Sequence, residues 1–295
     1  MLSKIGTSDL RVAAVQMETK NDKSENLRTA INFIDVAAEK EADIICFHEY
    51  FLTGPPAKEL STSYLKSTAE PIPGPSIQVL CDKAKEYGVY IIAGTIIEIE
   101  NDNLYNTSAL IDPKGKVIGK YRKTHPENYI AKHEIGCGIK PGNEFPVFKT
   151  KFCNVGIMID MDAAVPEVPR ILSINGAELI FWPLQWSMRW ARLIQPLTQA
   201  HAYMTQSYVV AANRVGRREL QTGVYPLIYG GGSTIADPEG NTLAVAPWHY
   251  PGVVVADVDL TFLRCWRNEI MPRDYPLARR PEIYETITNV DKRGV

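Results

Sequence analysis

Phe152 to Glu167, FCNVGIMIDMDAAVPE, is the stretch that most limits how this chain can fold. Val155, Ile157, Met158 and Ile159 form an apolar run that stops at Asp160, with Asp162 two residues on and Pro166-Glu167 closing the segment. Such a run predicts a strand buried on both faces that delivers one carboxylate to its carboxyl end. In open α/β sheets, ligands sit outside those ends. The stretch therefore predicts a helix-covered sheet with a polar site at its rim. An aspartate that only caps a helix N-terminus fits the same pattern.

The chain of 295 residues has room for one large α/β domain or two smaller ones, and 45% hydrophobic residues suffice for a substantial core. Lys plus Arg number 32 against 34 Asp plus Glu, which leaves no basic footprint for nucleic acid. No apolar segment approaches the roughly 20 residues of a membrane span, and MLSKIGTSDL lacks the apolar centre of a signal peptide. The expectation is a soluble cytoplasmic protein. Cys46, Cys81, Cys137, Cys153 and Cys265 are scattered and odd in number, with no spacing for zinc or a disulfide framework.

In chain order, Leu10 to Met17 predicts a strand, Lys23 to Lys40 an amphipathic helix, and Asp43 to His48 a second buried strand with Glu49 at its end. A proline-rich loop (Pro55, Pro56, Pro71, Pro73, Pro75) leads to a helix over Ser76–Tyr87, with Gly88 placed to cap it. Strands Tyr90–Glu98, Tyr105–Ile111 and Val117–Tyr121 follow, and Lys123 stands just past the last. The order then repeats: strand Asn154–Asp160, helix Val168–Asn175, strand Glu178–Trp182, helix Arg189–Gln206 and strand Tyr208–Asn213. Turns Asp112-Pro113-Lys114-Gly115 and Asp237-Pro238-Glu239-Gly240 lie 125 residues apart at corresponding places. Two similar halves of alternating strands and helices follow, read as one domain over 1–295 with a core of about 10–260 and a tail over 261–295.

Glu49, Lys123 and Asp160 each follow a buried apolar run. Taken alone, four apolar residues before Asp-x-Asp resemble the nucleophile strand of haloacid-dehalogenase-type phosphatases. That reading needs a Ser or Thr, a Lys and a further acidic pair around magnesium. Asp257 and Asp259 are the only later close pair, and no glycine-aspartate motif stands beside them.

With its flanks included, the pattern resembles the nitrilase superfamily of carbon-nitrogen hydrolases from Leu10 to Tyr284. FHEYFLTG (47–54) is similar to the segment bearing that family's general-base glutamate, with His48 where proline is usual, and GKYRKTH (119–125) to its lysine motif. GIMIDMDAAVPE resembles the nucleophile motif; NGAELIFWP, VVAANRVG, YGGGSTIADPEG and RRPEIY resemble later landmarks. The resemblance implies Glu49 as base, Lys123 as the catalytic lysine, Glu134 as a second glutamate bonded to that lysine, and Asp160 at the nucleophile's position. Met161, Gln185 and Trp186 are the implied substrate contacts. It also implies an α/β, four-layer αββα sandwich with two pseudo-symmetric halves, a homodimer or larger homo-oligomer, and a small amide, nitrile or carbamoyl substrate. No metal or organic cofactor is implied, because base, nucleophile and oxyanion donors are all protein groups.

The family's nucleophile is a cysteine, whereas this chain has Asp160. Cys153 does not replace it: seven strand residues span about 23 Å and an odd offset points to the opposite face. Cys137, near Glu134, is the one cysteine within plausible reach. A carboxylate that attacks an amide forms a tetrahedral intermediate that expels the carboxylate, with a pKa near 4, more readily than an amine. The expectation is a folded site that is hydrolytically dead or feeble. A natural pseudoenzyme, an engineered Cys-to-Asp change and an aspartate nucleophile of unusual chemistry all fit. So does a ligand-binding or scaffold protein on the same fold.

Overall fold

The structure is a computed structural model, and it describes residues 10–54, 62–127, 134–218, 227–271 and 279–289. Pro55 and Pro56 lie outside them. The strands are β1 (Leu10–Gln16), β2 (Ile44–Cys46), β3 (Tyr90–Ile92), β4 (Ile96–Glu100), β5 (Asn103–Ile111), β6 (Val117–Arg122), β7 (Ile139–Lys140), β8 (Val147–Lys149), β9 (Asn154–Ile157), β10 (Leu179–Pro183), β11 (Tyr208–Ala212), β12 (Val215–Arg218), β13 (Leu227–Gly230), β14 (Thr234–Ala236), β15 (Thr242–Val245) and β16 (Gly252–Val258). The helices used below are α1 (Lys23–Glu39), α2 (Thr62–Thr68), α3 (Pro75–Tyr87), α4 (Glu167–Ile174), α5 (Met188–Ala191), α6 (Ile194–Thr205) and α7 (Leu260–Cys265). Among the described residues no helix is long and apolar enough to cross a membrane.

One sheet has the order β16-β1-β2-β3-β5-β4, with β6 and β7 also paired to β5; the other runs β15-β14-β11-β10-β9-β8. Period-two alternation assigns each strand residue to a layer. Val12 and Ala14 of β1 meet Ile157, Phe181 and Val210 in the core between the sheets, while Ala13 and Val15 face Ile34 of α1 and Leu80 of α3. In the second sheet Ile180, Trp182 and Val209 turn outward onto Leu172 of α4 and Ala202 of α6. This is the αββα sandwich, and burial on both faces explains why the strands read as continuous apolar runs.

The two halves share a set of corresponding strands. β1, β2 and β3 are parallel neighbours, as are β9, β10 and β11; β3 then pairs antiparallel with β5, and β11 with β14. The two Asp-Pro-x-Gly turns match in detail. Asp112 Oδ1 accepts from Lys114 and Lys116 N–H at 2.9 and 2.8 Å, and Asp237 Oδ1 from Glu239 and Asn241 N–H at 3.0 and 2.9 Å.

Three elements differ from the sequence expectation. The strand read over Tyr90–Glu98 breaks after Ile92, because Gly94 takes a left-handed φ of 45°. The helix read over Arg189–Gln206 is two, α5 and α6, separated near Arg192-Leu193. The strand expected to reach Asp160 ends at Ile157, and Asp160 opens a 3-10 turn through Ala164. β16, absent from the sequence reading, closes the first sheet against β1.

Candidate active site

Glu49, Lys123 and Asp160 reach one point from three strand ends because β2, β6 and β9 each stop just short of them. Lys123 Nζ lies 2.9 Å from Glu49 Oε1, 2.8 Å from Glu134 Oε2 and 3.4 Å from Asp160 Oδ2. All four side chains are 4% exposed or less. A lysine has three N–H donors, and this ammonium directs them at three carboxylates, two at close range and Asp160 at 3.4 Å. Glu134 reaches Lys123 from the turn before β7.

Two residues that sequence reasoning missed complete the cluster. Asn106 Nδ2 donates to both Glu49 Oε1 and Glu134 Oε1 at 2.7 Å, and Tyr50 OH donates to Glu134 Oε1 at 2.6 Å. The available signals were an amide in the apolar run of β5 and a tyrosine next to Glu49. Glu127 N–H adds a fourth donor to Glu134, at 2.7 Å from Oε2.

Asp160 sits at φ 46°, a left-handed conformation that aspartate tolerates better than bulkier residues. Its carbonyl accepts from Trp182 Nε1–H at 3.0 Å, and its Oδ1 from Gln185 N–H at 3.4 Å. Asp162 holds the turn from below. It is fully buried and accepts from Ile159 N–H (2.9 Å), Tyr121 OH (2.7 Å), Thr124 Oγ1 (3.0 Å) and His125 N–H (2.9 Å). One carboxylate therefore ties the turn bearing Asp160 to the segment bearing Lys123.

Burial and the charge of Asp160 push the Glu49 carboxyl pKa well above the ordinary range. Burial likewise pushes Asp160 up to about 6, against the lowering effect of Lys123. Burial alone would lower the Lys123 pKa, but Glu134, Glu49 and Asp160 raise it well above its usual value. His48 is buried, bonded at 2.8 Å to the Glu49 carbonyl, and burial pulls its pKa down to about 3, so it is neutral.

The other residues singled out by the sequence occupy several places in the fold. Met161 is half-buried directly after Asp160, and Gln185 and Trp186 follow β10. Trp186 stacks edge-on against Trp182 at 5.2 Å, and its backbone N–H donates to Asn213 Oδ1 at 2.8 Å. Cys153 lies in the core between the sheets, and burial pushes its thiol up to about 12. Cys137 packs with Tyr50, Leu65, Ile97 and Leu104. Asp257 pairs with Arg11 at 2.7 Å and Asp259 caps α7 through Phe262 N–H, which removes the acidic pair a phosphatase needs. Among the described residues no group of three or more His, Cys, Asp or Glu is disposed to hold a metal ion.

The chain is similar to known proteins along most of its length. The carbon-nitrogen hydrolase family model matches residues 11–268. Omega-amidase NIT2 of Xenopus tropicalis is 33% identical over 279 residues, spanning 93% of this chain and 96% of that protein. N-carbamoylputrescine amidase of Solanum lycopersicum is 32% identical over 299 residues, spanning 95% of each. Among solved structures, Saccharomyces cerevisiae Nit3 of the nitrilase superfamily superposes with a TM-score of 0.76 at 24% identity, over 95% of this chain and 100% of that one. A mutant amidase from Nesterenkonia sp. AN1, bearing the acetamide moiety of fluoroacetamide on its active-site cysteine, does so with 0.76 at 20% identity, over 95% and 97%. At these identities the two structures share the fold.

Proposed function

We propose, since the chain belongs to the carbon-nitrogen hydrolase family of the nitrilase superfamily, that Glu49, Lys123 and Glu134 are its amide-hydrolysing centre and that Asp160 stands in the place of the nucleophilic cysteine. The observation that carries this reading is Lys123 Nζ, bonded at 2.8–3.4 Å to three carboxylates from three loops at strand ends. In the chemistry that such a centre serves, Glu49 moves the proton, Glu134 fixes Lys123, and Lys123 with a backbone N–H stabilises the oxyanion. The names of the relatives point to a small primary amide or an N-carbamoyl amine as the substrate class.

Asp160 changes the outcome rather than the architecture. Its attack on an amide carbon would give an intermediate that expels the carboxylate instead of the amine. The chain as written is therefore hydrolytically silent or feeble. The test is ammonia release from a panel of amides, nitriles and carbamoyl compounds by the native sequence and by Asp160→Cys. Turnover by the cysteine variant alone is the expected result. Equal turnover by both would show that Asp160 does not occupy the nucleophile's place.

The left-handed Asp160, weakly contacted on both oxygens, also favours a second reading, a ligand-binding protein built on the hydrolase fold. It predicts affinity without turnover in either protein.

A further inference from the structure

Counting donors against acceptors around Lys123 exposes an imbalance. Glu134 is fully served by Tyr50, Asn106, Lys123 and Glu127 N–H. Glu49 is not: Oε1 takes Lys123 and Asn106, but its buried Oε2 has no hydrogen-bond partner. Asp160 is 2% exposed, yet its side-chain donors among the described residues, Lys123 Nζ and Gln185 N–H, both stand at 3.4 Å. That exceeds the usual 2.7–3.2 Å range for such a bond. Gln185 Oε1 is buried and unpartnered as well.

The residues that carry these acceptors meet at the end of β10. Glu49 N–H reaches the Leu184 carbonyl at 3.4 Å, and Gln185 N–H reaches Asp160 Oδ1 at 3.4 Å, so the end of β10 joins the base to the aspartate. Every unmet atom is an oxygen, and three carboxylates face a single lysine whose hydrogens are spent.

We propose that Asp160, Glu49 Oε2 and Gln185 Oε1 form a binding site for a primary alkylammonium ion. Such a cation brings three N–H donors and one positive charge, which is what the cluster lacks. A neutral primary amide brings two donors and no charge, and an anion would be repelled. The raised pKa values of Asp160 and Glu49 have the same origin, carboxylates buried without enough counter-charge. The inference rests on the reading that these groups are the fold's ligand site, and it implies that an aspartate at position 160 changes the preferred ligand from an electrophilic amide to an amine.

The test is calorimetric titration of the native protein with methylammonium, tetramethylammonium and acetamide, repeated on Asp160→Asn. Methylammonium should bind at least tenfold tighter than the other two, and Asp160→Asn should weaken it at least tenfold. Equal affinity for acetamide or tetramethylammonium, unchanged binding in Asp160→Asn, or no binding of methylammonium by the native chain would each overturn the proposal. Should Asp160→Asn not fold, the ratio of the three probes on the native chain decides alone. Ammonia release by Asp160→Cys is independent of these results. Turnover there, with no methylammonium binding by the native chain, would remove only the ammonium site. Binding without turnover in any variant would remove the hydrolase reading instead.

Discussion

The indole N–H of Trp182 donates to the carbonyl oxygen of Asp160 across 3.0 Å, holding a residue whose φ is 46°. Trp182 is wholly buried at the outer face of β10, so the left-handed turn is fastened from the helix side of the sheet rather than from the site. This bond positions the Asp160 side chain without touching it.

Trp182→Phe keeps one aromatic ring in the packed layer, loses part of the indole's volume and removes the donor. The orphaned carbonyl should cost about 1–3 kcal/mol of stability. Urea unfolding measures this directly, and an unchanged midpoint at constant slope would show that the bond does not restrain the turn.

Asp162 offers a sharper contrast. Asp162→Ala strands the backbone N–H groups of Ile159 and His125 and takes the carboxylate acceptor from the Tyr121 and Thr124 hydroxyls, which keep only their contact with each other and that of Thr124 with His125. Several unmet donors at 1–3 kcal/mol each should leave little folded protein. Asp162→Asn, which retains one acceptor oxygen, should fold with a lower melting temperature. Two variants of equal stability would deny Asp162 its role as the clamp between the Lys123 and Asp160 segments.

Gly94 explains why one predicted strand became two. A Cβ at this position would fall on the carbonyl oxygen of His48, the residue before Glu49, and φ of 45° is unfavourable for alanine. Gly94→Ala should cost at least about 1–3 kcal/mol from overpacking, and any movement it forces is directed at the Glu49 segment. A melting temperature within a degree of the native value would contradict this.

What was legible in the sequence follows from the same physics. Apolar runs buried on both faces are visible without a structure, which is why β1, β5, β10 and β11 and the polar residues at strand ends emerged from residue pattern alone. Asn106 was hidden because a single amide in a strand reads as a tolerated polar residue until its partners across the site are known. The role of Asp162 was hidden for a similar reason: three of its four partners, Tyr121, Thr124 and His125, lie about forty residues away. Gly94 and the break near Arg192-Leu193 were lost inside long favourable patterns, since hydrophobic periodicity does not register a local change of φ.

The pH dependence of stability carries the signature of Asp160. Its carboxyl is faced by Lys123 from the end of β6, by Glu49 after β2, by Glu127 and Glu134 from the loop before β7, and by Gln185 N–H after β10. Burial, reinforced by Glu127 and Glu134, lifts its pKa from an ordinary 3.8 to about 6 in the fold. A raised acid pKa means that the folded state holds its proton more tightly than the unfolded state does. The associated stability is present below pH 4, is lost as pH rises to about 6, and stays lost above it. Glu49, raised partly by the charge of Asp160, changes in the same direction. Asp160→Asn removes this liability while keeping a side chain that tolerates the left-handed turn. Urea unfolding at pH 4, 5, 6 and 7 should show the native protein losing on the order of 2–3 kcal/mol relative to Asp160→Asn across that window. Parallel profiles for the two proteins would mean that Asp160 is already neutral, or already paired, throughout the range.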